Sequence, residues 1–346
     1  MDAGAARLWM RGEALIRDDS IAWFCTYTPL EILDAAGLVP VRHFGDPGSL
    51  ESADTFLHPA ICPYVRACLA AEITGDGPHH AVFVNSCDGM RRLYDAWKDR
   101  FRDDFVHLVD LPRNPGAGGE RMLLGEYREL IRELGGAWGT KISADALREA
   151  GRKREERRLA YLDAAAGLYG RERLRLAMES HSLPLDGPLP EMHGDGGAPG
   201  VPVLLTGNLL NPAGLISSLE QAGARTVWID LCNGDRGFSS STLPQGDDLD
   251  GLLKYLARRY LDRHPCARMA DHERRYDLLV ETVRAEGARG VIYASLKFCD
   301  AYLYDFPRVQ ERLGREGIPL LRLESDYTDG HVGQLLTRVE AFLEML

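Results

Sequence analysis

The chain has 346 residues, 45% hydrophobic and 27% charged, too long for one ordinary core and too apolar to stay unfolded, so two domains are expected. Its formal net charge of -11 leaves no basic surplus for a nucleic acid or an anionic membrane surface. Met1 to Arg11 lacks the positive start and apolar core of a secretory leader, and no stretch approaches the roughly 20 apolar residues of a membrane span, so a cytoplasmic enzyme is expected.

Apolar β-rich runs alternate with amphipathic helical patterns along the chain, the signature of βαβ units and parallel sheets. The first α/β domain is expected over 1–140. It begins with "WFCTYTPLEILDAAGLVPVRHFG", in which Cys25 sits in a loop before a helix and Leu38 to Phe44 reads as a strand. A second helix follows in "CPYVRACLAAEI", beginning with Cys62 and carrying Cys68 inside. His79 and His80 read as exposed turn residues before the strand Ala81 to Ser86, which ends in Cys87 and Asp88. The strand Val106 to Leu111 and a helix around Glu126 to Glu133 complete this half.

The segment 141–200 is expected to be a helical pair followed by a linker. Ser143 is placed as the N-cap before Ala144, and the run "RKREERR" reads as a solvated helix face. From Ser182 to Gly200 the chain is rich in Gly and Pro without hydrophobic period, hence a linker or long loop.

The second α/β domain is expected over 201–346, with strands at Val201 to Thr206, Thr226 to Leu231, Gly290 to Leu296 and Leu320 to Leu323. Cys232 follows the second of these, Cys266 follows a helix ending near Arg263, and Cys299 with Asp300 follows the third. A last helix runs from about Gln334 to Leu346. The halves resemble each other locally, which suggests an internal duplication. "TPLEILDAAGLVPVRHFG" parallels "NPAGLISSLEQAGARTVWIDLC", and "AVFVNSCDGMRRLYDAW" parallels "GVIYASLKFCDAYLYDF". "LVDLPRN" and its helix parallel "LRLESDY" and the last helix.

Seven cysteines in a reducing compartment favour metal or redox chemistry over a disulfide framework. Cys87 and Cys299 each stand at the carboxyl end of a strand, where open parallel sheets place their ligands. Two facing halves would bring both thiols into one cleft within reach of Cys25, and three thiolates can hold one iron–sulfur cluster. Cys68 reads as a small core hydrophobe. Cys62, Cys232 and Cys266 form a second tier of candidate ligands. The sequence lacks the close CxxC pairs of zinc sites. It also lacks a GxxxxGK[ST] loop, a dinucleotide loop in the right context and a GxSxG elbow, so neither flavin nor NAD is expected.

Taken in order, the segments "WFCTYTPLEILDAAGLVPVRHFG", "CPYVRACLAAEI", "VNSCDGMRRLYD", "GNLLNPAGLISSLEQAGARTVWIDLCNGDRGF" and "GVIYASLKFCDAYLYDFPRVQERLGREGIPLLRLESDYTDGHVGQLLTRVEAFLEML" resemble the 2-hydroxyacyl-CoA dehydratase family, which includes benzoyl-CoA reductase subunits. The resemblance covers nearly the whole chain. It implies two Rossmann-like domains with short parallel sheets facing a cleft, and a [4Fe-4S] cluster on Cys25, Cys87 and Cys299 with one iron left open. The implied reaction removes water from an (R)-2-hydroxyacyl-CoA to give a 2-enoyl-CoA through a ketyl radical. An ATP-dependent iron–sulfur activator supplies the electron, and a homologous second subunit or a second copy completes the enzyme. Two other readings stay open: an ATP-driven reductase of the same superfamily, either benzoyl-CoA reductase-like or with a double-cubane [8Fe-9S] cluster that also uses Cys62, Cys232 or Cys266, and a non-catalytic electron-transfer subunit. Glu31 and Glu51 are candidate bases, with a structural role favoured for Glu31. Asp88 and Asp300 are placed to cap their helices or to hydrogen-bond near the cluster, and Arg66 and Arg236 to hold CoA phosphates.

Overall fold

The computed structural model describes residues 19–48, 50–75, 79–192, 199–211, 214–328 and 332–346. Met1 to Arg11 and the middle of the expected linker, 193–198, lie outside the described residues.

The first sheet consists of β1 (Ser20–Trp23), β2 (Val39–Arg42), β3 (Ala81–Val84) and β4 (Val106–Val109), all parallel, in the order β2-β1-β3-β4. The second consists of β5 (Val201–Gly207), β6 (Ala224–Asp230), β7 (Gly290–Leu296) and β8 (Leu320–Ser325), parallel, in the order β6-β5-β7-β8. The order is the same in both, and each sequence parallel joins topologically equivalent segments. β3 and β7 are buried at every position, because helices cover both faces of a parallel sheet and its inner strands turn fully apolar.

Seven of the eight strands lie where the sequence places them. β1 escapes because "SIAW" is too short to show a period. The duplication, carried one step further, would have required it as the counterpart of β5.

Around the first sheet run α1 (Leu30–Ala35), α2 (Pro63–Thr74), α3 (Asp88–Arg100) and α4 (Ala117–Trp138), with a short 3-10 turn at Leu50–Thr55. The helical pair is α5 (Ala144–Ala165) and α6 (Gly170–Ser182). Ser143 caps α5 as expected, its hydroxyl accepting from the Ala146 N–H at 3.1 Å. α7 (Leu215–Gln221), α8 (Leu249–Asp262), α9 (His272–Ala285), α10 (Asp300–Arg315) and α11 (Val332–Glu344) serve the second sheet, with a 3-10 turn at Asp235–Phe238.

The two sheets share their cores. One apolar cluster joins Phe24, Phe83 and Trp97 to Leu205, Ile292 and Phe342, and another joins Ile21 and Tyr127 to Leu253 and Tyr260. This fixes the carboxyl edges of both sheets relative to one another.

Two surface readings need correction. The basic run is only partly solvated: Arg154 pairs with Asp34 at 2.6 Å, and Arg157 is buried, donating to the carbonyls of Pro184, Leu185 and Gly187. His79 and His80 are half-buried anchors rather than exposed turn residues. His79 Nδ1 meets Glu72 at 2.5 Å, and His80 Nδ1 accepts from the Phe105 N–H at 3.0 Å.

Candidate cluster cavity

Four thiols stand just past a strand's carboxyl end: Cys25 after β1, Cys87 after β3, Cys232 after β6 and Cys299 after β7. Cys62 and Cys266 arrive from irregular connections, Cys62 as the residue before α2 and Cys266 in the loop between α8 and α9. All six line one cavity between the sheets, together with Thr26, Tyr64, Ser86, Asn208, Arg268 and Tyr302. Cys68 is fully buried in the core packing of α2, as expected of a small core hydrophobe. The expected trio is therefore brought together, and the second tier joins it.

The local backbone is arranged to present sulfur. Cys87 occupies the cap position of α3 and its Sγ accepts from the Met90 N–H at 3.4 Å. Asp88, expected to cap, lies one residue further into the first turn, and Asp300 does the same behind Cys299 in α10. Phe298, just before Cys299, adopts φ 60°, a left-handed conformation that is costly for an aromatic residue and is kept where the surroundings enforce it.

Every sulfur of the six has an N–H donor. Arg268 N–H reaches Cys266 at 3.4 Å, and the Arg236 guanidinium reaches Cys232 at 3.5 Å. Backbone N–H groups of Tyr27, of Val65 and Tyr64, and of Tyr302 serve Cys25, Cys62 and Cys299 respectively, and the Asn208 side chain also bonds Cys299. Burial pushes the Cys25, Cys62 and Cys299 thiols upward and Cys266 up to about 11. Without a cation these thiols stay protonated at neutral pH; a bound metal deprotonates them outright.

The thiols influence one another across the whole cavity: Cys62 feels Cys299 and Cys87, Cys87 feels Cys299, Cys25 and Cys266, Cys299 feels Cys232, and Cys266 feels Cys232 and Cys25. Among the described residues, no three His, Cys, Asp or Glu side chains converge as they would around one ion. A donor set of this kind fits a group with an extent of its own, an iron–sulfur cluster, better than a single zinc.

No carboxylate lines the thiol cavity among the described residues. Glu31, 2% exposed, faces a separate small cavity, where it accepts from Arg259 at 2.5 Å and from the Tyr260 hydroxyl at 2.9 Å. Glu51 sits exposed on the 3-10 turn. Both candidate bases are thus away from the thiols. Arg66 pairs with Asp54 at 2.5 Å on the surface and lines neither cavity beside the thiols, and Arg236 is buried against Asp230 at 2.8 Å, which leaves it unavailable for CoA phosphates. Arginines that sequence reading passed over, Arg91, Arg113, Arg268 and Arg308, line a larger opening beside Cys87. Only their convergence in space marks them.

A profile of the family described as "2-hydroxyglutaryl-CoA dehydratase, D-component" matches residues 25–346. The (R)-phenyllactyl-CoA dehydratase beta subunit of Clostridium sporogenes is 25% identical, covering 92% of this chain and 90% of its own. The putative dehydratase subunit YjiM of Escherichia coli is 27% identical, covering 94% and 91%. A benzoyl-CoA reductase subunit of Thauera aromatica is 27% identical, covering 100% and 95%.

Proposed function

Because the chain belongs to the 2-hydroxyglutaryl-CoA dehydratase D-component family, we propose that it is the cluster-bearing part of a low-potential redox enzyme whose six thiols hold a double-cubane [8Fe-9S] cluster. The observation that carries this reading is that six of the seven cysteines line one cavity. Two cubanes joined by one bridging sulfide leave three irons on each for protein ligands, six in all, whereas a single cubane has no use for six. Such a group supplies single electrons at low potential.

The chain's own residues donate N–H bonds to sulfur, which disperses thiolate charge and tunes the potential. Arg236, held by Asp230 and by the Tyr302 hydroxyl at 2.5 Å, is a positioning residue behind Cys232. In this reading an ATP-dependent iron–sulfur activator delivers the electrons, the chain works in the cytoplasm, and two copies form the enzyme.

The names of its relatives favour a second reading, a 2-hydroxyacyl-CoA dehydratase subunit with one [4Fe-4S] cluster on Cys25, Cys87 and Cys299 and a homologous partner chain. The test is anaerobic turnover with the activator and ATP. Reduction of a small acceptor by this chain and the activator, with no second subunit present, is expected. Dehydration of an (R)-2-hydroxyacyl-CoA only after a second subunit is added would favour the dehydratase instead.

A further inference from the structure

Ser86, Cys87, Arg268 and Ala301 line both the thiol cavity and an adjoining vestibule of about 570 Å³, within the roughly 300–1,000 Å³ of small-molecule sites. Its walls carry Arg91, Arg113, Arg268 and Arg308, in a chain whose net charge is -11. The first residues of α3, α9 and α10, namely Asp88, His272 and Asp300, also line it, so three helix starts bring the positive ends of their dipoles to one place.

Arg91 and Arg308 form no ion pair among the described residues. Arg268 Nη1 and His272 Nδ1 are buried without a hydrogen-bond partner. Of the vestibule's acids, Asp305 is consumed by Arg275 at 2.6 Å. Asp88 and Asp300 remain and do not balance the four guanidinium groups. A buried donor left unpaired is costly, and a bound oxyanion would satisfy it.

We propose that the vestibule is an oxyanion-recognition site: the substrate carries a phosphate or carboxylate that Arg91 and Arg308 hold while its reacting end reaches past Cys87. The inference rests on the thiol cavity being the reactive centre. Planar guanidinium groups suit both anions because they donate paired N–H bonds to two oxygens at once, and the positive mouth steers such molecules inward.

The experiment is calorimetric titration of the anaerobically purified, iron-loaded protein with inorganic pyrophosphate and, separately, malonate. Binding of at least one is expected, weakened about ten- to a hundredfold by Arg91→Gln or Arg308→Gln. Arg91→Lys should retain part of it. Arg128→Gln, which alters an exposed pair with Asp250 outside the vestibule, should leave it unchanged. Displacement of pyrophosphate by coenzyme A would assign the site to a phosphorylated carrier, and a preference for malonate to a carboxylate on the reacting molecule. Absence of heat at millimolar anion, or equal binding by the Arg91→Gln/Arg308→Gln double variant, overturns the inference. Iron content measured on the same samples reports separately on the cluster.

Discussion

At the scale of single residues, two chemistries are sorted by their surroundings. Glu31 is held by Arg259 and Tyr260 in a nearly dry site, so Glu31→Gln strands a buried guanidinium. It should cost about 3–5 kcal/mol of stability, read by chemical denaturation, while the iron content of the folded fraction stays at the wild-type value. A folded, fully iron-loaded and inactive Glu31→Gln protein of normal stability would instead return Glu31 to the role of a base. The sequence showed Cys25, Cys87, Cys232 and Cys299 as loop or strand-end residues, because the βα pattern alone locates strand ends. It offered Cys62 and Cys266 only as second-tier candidates, because their positions depend on how irregular connections fold back over the sheet. Nor did it show that Arg236 is held by Asp230 in the core, since such pairings are made in space rather than along the chain.

At the scale of elements, each thiol is only as well placed as the strand or helix beneath it. α2 is clamped by Glu72, which meets His43 at 2.8 Å and His79 at 2.5 Å. Burial alone would raise the Glu72 carboxyl, but the hydrogen bonds from His43 and then His79 outweigh it and bring the group down to about 2. A depressed carboxyl stabilises the fold above its unfolded value of 4.5 and loses that contribution as pH falls towards about 2. Thermal melts between pH 5 and 3 should therefore fall more steeply for the wild type than for Glu72→Gln, and parallel curves would contradict the clamp. At the second sheet, Gly207 (φ +151°) lies against β7 so closely that an added Cβ would stand 1.7 Å from the Ala294 carbonyl oxygen. Gly207→Ala should cost at least about 1–3 kcal/mol and, because Asn208 follows directly, disturb the hydrogen bond to Cys299. Unchanged stability and an unchanged cluster spectrum would show that β5 and β7 can part without consequence.

For the whole molecule, the repeated strand order places two carboxyl edges against each other, and six sulfurs collect where they meet. The duplication was readable because local segments match in order; the shared core was not, since it is built from contacts between distant residues. The central claim is the six-thiol cluster. Its most direct test is anaerobic iron and sulfide content with an electron paramagnetic resonance spectrum, for the wild type and for Cys→Ser at positions 25, 62, 87, 232, 266, 299 and, as a control, 68. A six-thiol cluster predicts about eight irons per chain, a loss of iron or an altered spectrum at each of the six, and no change for Cys68→Ser. About four irons, lost only with Cys25, Cys87 or Cys299 and indifferent to Cys62, Cys232 and Cys266, would contradict it.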